Sequence, residues 1–154
     1  MIVRKDDAAS DYGADGDADE YGAFEEKNYS DPGGLTQYGA YVRVLAPGSR
    51  SSDRHWHENE DEFIYVLSGE ATVVENDGAH VLMSGDAACW PAGSPNAHYV
   101  VNSSDSPCSY LIVGTRPTHD ICHYPDLGRA CHTEGETWRM LSYDGEYLGG
   151  GKVT

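Results

Sequence analysis

The sequence predicts an all-β fold, a closed barrel or sandwich of short strands. Three observations predict it. Runs of β-branched and aromatic residues recur between clusters of Gly, Pro, Asn, Asp and Ser. No stretch carries the three-to-four-residue apolar period of an amphipathic helix. One tight hairpin is marked outright, by Asn76-Asp77-Gly78 between two short runs.

Taken in order, residues 6–31 hold ten acids with little apolar periodicity. They read as an acidic arm, solvated or laid over the surface. Residues 37–45 (QYGAYVRVL) mix aromatic and β-branched side chains and stop at Pro47-Gly48. On that strand Tyr38, Ala40, Val42 and Val44 share one face and read as core. Tyr41 and Arg43 share the other, which lines a pocket or lies on a dimer surface. Residues 54–57 form a short strand and 63–67 (FIYVL) a strongly apolar one. Residues 71–75 and 79–83 flank the hairpin turn. Residues 86–90, 97–101 and 109–115 complete the set of strands. The tail after Arg116 is irregular, with a strand or helical turn at 138–141 and a fraying end at Gly149-Gly150-Gly151. The organisation predicted is an arm over 1–32, a barrel over 33–128, and an extension over 129–154 packed on the barrel.

The net charge of −16 over 154 residues excludes a basic phosphate-reading or membrane-binding face. The expected partner is a small molecule, not nucleic acid and not a membrane. With no apolar leader after Met-Ile-Val-Arg-Lys, the expected location is the cytoplasm. Cys89 and Cys108 fall in apolar strands and read as small core residues. Cys122-His123 and Cys131-His132 fit no common zinc spacing and read as surface or dimer-contact residues.

The chemistry is concentrated in four residues. His55 and His57 stand at i and i+2, on one face of a strand. The polar run Glu58-Asn59-Glu60-Asp61 turns the chain back, and Glu62 opens the next strand beside them. His98 follows about forty residues on. Three imidazoles and one carboxylate suit Mn, Fe, Co, Ni or Zn and disfavour Mg and Ca. Glu58, Glu60 and Asp61 share the loop with Glu62. Glu62 is preferred as ligand because it directly precedes the apolar strand. Trp56 points away from its two neighbours.

Glycines frame these residues in two blocks. The first runs Gly48, six residues, His55-Trp56-His57, four residues, Glu62, six residues, Gly69. The second runs Gly85, five residues, Pro91-Ala92-Gly93, four residues, His98, three residues, Asn102. They resemble the paired motifs of the cupin superfamily, with one extra residue after Gly48 and two extra between Gly93 and His98. The segments GGLTQYG, RHWHENEDEFIYVLSGE, PAGSPNAHYVVN, LIVGTRP and HYPDL resemble small single-domain cupins of the mannose-6-phosphate-isomerase-like or sugar-phosphate-isomerase-like group.

The resemblance implies a double-stranded β-helix (jelly-roll) barrel, a homodimer, and one divalent transition metal on His55, His57, Glu62 and His98. Its most concrete functional form is aldose–ketose isomerisation of a sugar or sugar phosphate. The alternatives are an Fe(II)-dependent dioxygenase and a non-enzymatic sensor or storage cupin. For the isomerase, Glu58, Glu60 and Tyr65 are the candidate bases. Tyr41, Arg43, Arg54 and Asn102 are the candidate substrate contacts, with Arg50 and Arg116 also near the mouth in sequence. For the dimer, a segment such as 35–41 would pair across a two-fold axis and cover an exposed edge.

Overall fold

The computed structural model describes residues 1–12 and 18–153. Its strands are β1 (Ala9–Asp11), β2 (Phe24–Asn28), β3 (Tyr38–Leu45), β4 (Trp56–His57), β5 (Glu62–Ser68), β6 (Glu70–Glu75) and β7 (Gly78–Met83). They continue as β8 (Ala87–Trp90), β9 (Tyr99–Val101), β10 (Cys108–Thr115), β11 (His119–Tyr124), β12 (Arg129–Glu134), β13 (Thr137–Ser142) and β14 (Tyr147–Lys152). Each predicted strand from 37 to 115 is present, with ends moved by a residue or two. One short helix, Ala18–Tyr21, precedes β2. No helix among the described residues is long and apolar enough to cross a membrane.

The strands form three antiparallel sheets, ordered β1-β2-β3-β10-β5-β8, β14-β13-β12-β11-β4 and β7-β6-β9. Neighbours distant in sequence, such as β3 and β10 or β4 and β11, give the jelly-roll connectivity of an all-β barrel. The core is filled by Leu45, Ile64, Val66, Trp90, Cys108 and Tyr110 from the six-stranded sheet. Ala71, Val73 and Val100 meet them from the three-stranded one.

Register decides which face of β3 looks inward. Arg43 pairs with Tyr110 and Tyr41 with Ile112, and Tyr110 and Ile112 pair in turn with Val66 and Ile64. Paired residues in a ladder share a face, so Tyr41 and Arg43 point into the barrel. Tyr38, Ala40, Val42 and Val44, expected in the core, point outward, and Tyr38 is exposed. The half-buried arginine is tolerated because Glu26 of β2 lies opposite it. Arg43 Nε donates to Glu26 Oε2 at 2.8 Å, and Nη1 donates to the Ser51 carbonyl at 3.0 Å.

The same pairing resolves the acidic arm. Its residues 24–28 form β2 and cover the edge of β3, from Phe24↔Leu45 to Asn28↔Tyr41. Of the segment 35–41 expected to pair across a two-fold axis, the arm reaches Tyr41 in register and Ala40 through the Tyr29 N–H at 3.1 Å. The acids Asp15 and Asp17 of the arm lie outside the described residues.

Gly69 closes the first glycine block for a steric reason. Its φ is +75°, and a Cβ there would meet the Pro107 carbonyl oxygen at 2.7 Å and Cys108 Cα at 3.0 Å. Of the two cysteines expected in the core, Cys108 is buried and Cys89 is exposed.

The tail differs most from expectation. β11, β12, β13 and β14 form a continuous ladder. Gly149, Gly150 and Gly151 pair with Met140, Arg139 and Trp138 instead of fraying. A side chain at Gly151 would meet the Trp138 indole at 3.1 Å, so glycine there admits the ring.

Candidate metal centre

His55 and His98 are cross-strand neighbours. His55 N–H donates to the His98 carbonyl at 3.1 Å, and His98 N–H donates to the His55 carbonyl at 2.8 Å. That reciprocal pair sets both imidazoles on the same face. His57 stands two residues along on the same strand face. Glu62 heads the inward column of β5, above Ile64 and Val66.

The ring orientations follow from what holds each Nδ1. His55 Nδ1–H donates to the Asp53 carbonyl at 2.8 Å, and His98 Nδ1–H to the Asn96 carbonyl at 3.2 Å. His57 Nδ1–H donates to Asp120 Oδ2 at 2.5 Å. Asp120 is steadied in turn by the Asn59 N–H, 2.9 Å from its Oδ1. With Nδ1 occupied, Nε2 is the ring nitrogen each histidine turns inward. The three Nε2 atoms stand 3.8, 3.8 and 2.8 Å from Glu62 Oε2, from His55, His57 and His98 respectively.

Glu62 Oε2 is buried and has no hydrogen-bond partner. Three imidazole nitrogens and a carboxylate oxygen gathered on one point call for positive charge among them, from ring protons or from a metal ion. The donor set therefore fits a divalent transition metal, and it agrees with the borderline-to-hard N₃O chemistry of Mn, Fe, Co, Ni or Zn. His55, Glu62 and His98 each place a donor atom within 4.8 Å of the others.

Packing fixes the ligands further. Trp90, which pairs with Glu62 across β5 and β8, stacks on His98 with ring centroids 3.7 Å apart and planes 6° apart. Its Nε1–H donates to Glu75 Oε1 at 2.6 Å.

The charges respond to this crowding. Burial alone would raise the Glu62 carboxyl, but His55 and His98 outweigh it and hold the group well below the usual carboxylate range. Burial opposes charging of His57, yet Asp120 prevails, with Cys122 and Glu62 adding to it, and the imidazole is pushed up to about 11. The Glu60 carboxyl is pushed up to about 7, chiefly by burial, with Glu62 and Asp120 adding and His57 opposing.

The candidate base residues separate cleanly. Glu60 lies behind His57, on its Nδ1 side beside Asp120. Its carboxylate fills the space a side chain at Gly114 would take, and Gly114 pairs with Glu62 on the inner face. Glu60 Oε2 stands 3.7 Å from His57 Nδ1. Glu58 turns outward and accepts a hydrogen bond from His123 Nε2 at 2.8 Å. Trp56 also points outward and stacks on His123 at 4.3 Å. Tyr65 lies on the outer face of β5 and is exposed.

The candidate substrate contacts separate as well. Tyr41 faces inward, and its hydroxyl accepts from Arg116 Nη2 at 2.9 Å. Arg43 faces inward but is committed to Glu26. Arg54 forms a two-pronged pair with Asp126 at 2.8 and 2.6 Å on the surface. Asn102 is fully buried and saturated. Its Nδ2 donates to the Leu45 and Ser106 carbonyls, and its Oδ1 accepts from the Ser104 N–H and Oγ–H. It clamps the 102–106 loop. His80, which carried no partner signal, is exposed in its hairpin and bonds Asp77 at 2.8 Å.

Asp120, Trp90 and Cys122 bear on the centre without having been singled out for it. Asp120 lies 63 positions from His57, in a stretch with no motif, and only the β4–β11 pairing brings it close. Trp90 carried a usable signal, since it directly precedes Pro91-Ala92-Gly93 of the second block.

Comparison with known proteins places this geometry. The profile of the cupin domain matches residues 41–114. A sugar phosphate isomerase of the cupin superfamily from Silicibacter pomeroyi DSS-3 superposes with a TM-score of 0.89 and 31% identity, over 97% of each chain. This chain belongs to the cupin superfamily. A second cupin-like structure, assigned as a sugar phosphate isomerase from Acidithiobacillus ferrooxidans, matches at 25% identity and a TM-score of 0.73 over 81% of each chain. A predicted oxalate decarboxylase from Thermotoga maritima matches at 22% identity and a TM-score of 0.59, over 76% of this cupin and 100% of that chain. At that distance the likeness is one of fold alone. No curated protein matches the chain.

Proposed function

We propose that this cupin is a metal-dependent isomerase that interconverts an aldose and its ketose. The observation that carries the reading is Glu60. It is a half-buried carboxyl on the Nδ1 side of His57, and no side-chain hydrogen bond holds it among the described residues. Proximity to the ligands makes it a candidate for moving a proton, while Asp120 already serves the orienting role at His57. The names given to the two cupin structures at 31% and 25% identity support the same class of reaction.

A divalent ion held by His55, His57, Glu62 and His98 would supply Lewis-acid polarisation of a carbonyl and its neighbouring hydroxyl. Glu60 would take a proton from the carbon bearing that hydroxyl and return it to the adjacent carbonyl carbon. Partial burial, which raises its carboxyl, favours the half of that exchange in which it holds the proton. Tyr41, inward on β3 and held by Arg116, would orient substrate hydroxyls.

Substrate charge is a separate matter. Arg43, Arg50, Arg54 and Arg116 each already pair with a carboxylate. A phosphate would have to compete with Asp31 or Asp126 for them, so free aldoses belong in the test beside their phosphates. The test is proton exchange. Metal-loaded protein incubated in deuterated water with a panel of aldoses and aldose phosphates should place deuterium on carbon 1 or 2. Glu60→Gln should abolish the exchange while retaining the metal. No exchange with any member of the panel overturns the isomerase reading.

A further inference from the structure

Cys122 stands directly across from His57 in the β4–β11 ladder. Cross-strand partners point to the same face, so its thiol is turned toward the ligand cluster. His55, His57 and Cys122 each offer a donor atom, and those three atoms lie within 4.8 Å of one another. His55, Glu62 and His98 satisfy the same condition. The two triads share His55.

The surroundings of Cys122 differ from those of an ordinary buried cysteine. Cys108 is buried among the aliphatic and aromatic residues of the core. Cys122 is 7% exposed yet lies outside that core cluster. It faces imidazoles, and its neighbours along the inner face of β11 are Asp120 and Tyr124. It is a free thiol. A soft donor, buried and within 4.8 Å of a nitrogen of each of two histidines, is placed as a ligand can be.

We propose that Cys122 is a fifth protein donor to the ion, binding beside His55 and His57, and that it biases the centre toward thiophilic divalent ions such as zinc and cobalt over manganese. The inference rests on the quartet of His55, His57, Glu62 and His98 being a metal centre. In the binding step the S–H bond breaks, the proton leaves to solvent, and a sulfur lone pair forms the bond to the ion. No redox change is involved. Cys131, the cross-strand partner of Cys122 on β12, stands one strand further from His57 and is the natural control.

The test is cobalt(II) titration of metal-free protein, followed by absorption. Wild type should develop visible d–d bands together with a near-ultraviolet sulfur-to-cobalt charge-transfer band. Cys122→Ser should lose the charge-transfer band and keep the d–d bands, and Cys131→Ser should keep both. In zinc competition Cys122→Ser should lose about tenfold or more in affinity, with manganese affinity unchanged. Visible bands without a charge-transfer band in wild type overturn the thiolate donor and leave the quartet intact. A charge-transfer band that survives Cys122→Ser also overturns it. No cobalt uptake by wild type overturns the quartet and the thiolate together. Cys122→Ala replaces the serine variant if circular dichroism shows the latter to have lost its strands.

Discussion

On the six-stranded sheet, Glu62 stands above Ile64 and Val66, and the register aligns that column with Ile112 and Tyr110. On β11, the residues facing the same interior are Asp120, Cys122 and Tyr124. The first wall is apolar below its single carboxylate, and Trp90 packs it against His98 at 3.7 Å. The second wall is polar along its length and touches the ligands through hydrogen bonds and charge. The contrast divides the labour at the centre. The packed wall fixes where Glu62 and His98 sit, whereas the polar wall sets how His57 is turned and charged. Stability should therefore be lost mainly by damage to the first wall, and ligand basicity mainly by damage to the second.

Trp90→Ala is the sharpest way to break that division. Trp90 is only 5% exposed and belongs to the core cluster. Its removal should lower the unfolding free energy by about 3–5 kcal/mol, measured by denaturant titration of the metal-free protein. A loss below about 1 kcal/mol would mean that the six-stranded wall is not the stabilising one. Glu62→Gln keeps the packing and removes the charge. Metal affinity should fall by more than about 100-fold, since even the partners behind a ligand are commonly worth 10–100-fold. Competition against a chromophoric chelator reads it, and an undiminished affinity would remove Glu62 from the centre. Asp120→Asn acts from the other wall. The expected loss is about 10–100-fold in metal affinity with little change in unfolding midpoint. The reverse pattern, a large drop in stability with affinity intact, would abolish the distinction between the walls.

The same two walls differ in how far they were legible in the sequence. The first could be read because its residues alternate. FIYVL places Ile64 and Val66 on the face of Glu62 whatever the rest of the chain does, and the glycine-framed blocks mark His55, His57 and His98. The second could not. HDICHY and RACHTE carry few apolar residues, because the interior they face is a charged cluster and not a hydrocarbon core. A strand whose inward positions are Asp120, Cys122 and Tyr124 gives no period-two apolar signal. For β3 the failure has another cause. Both faces of YGAYVRVL are mixed, and only pairing with Glu26 and Tyr110 makes Arg43 an inward residue. Hydrophobicity ranked Val42 and Val44 inside, and register put them outside. The separation of Glu60 from Glu58 was equally hidden, since it depends on the gap that Gly114 leaves on β10, five strands further along the chain.

A last contact ties the arm to the first wall and tests that wall at its rim. Arg116 Nη2 donates to Asp31 Oδ1 at 2.6 Å and to the Tyr41 hydroxyl at 2.9 Å. The Arg116 guanidinium, more than any other group, holds the Asp31 carboxyl below its ordinary value. A carboxyl depressed in the folded state adds stability above its unfolded value of about 3.9, and that stability is lost as pH falls through the folded value. The pair is partly solvent-exposed, with side-chain exposures of 33% and 54%, so water screens it and its worth is at most about 1 kcal/mol. Asp31→Asn should therefore lower the unfolding midpoint slightly at pH 6 to 7, less in high salt, and the difference from wild type should shrink toward zero as the pH drops below about 3. A deficit that persists unchanged in acid would assign the contribution of Asp31 to its hydrogen bonds with Asn28 and its own turn, and would leave the arm held to the barrel by the β2–β3 ladder without help from Arg116.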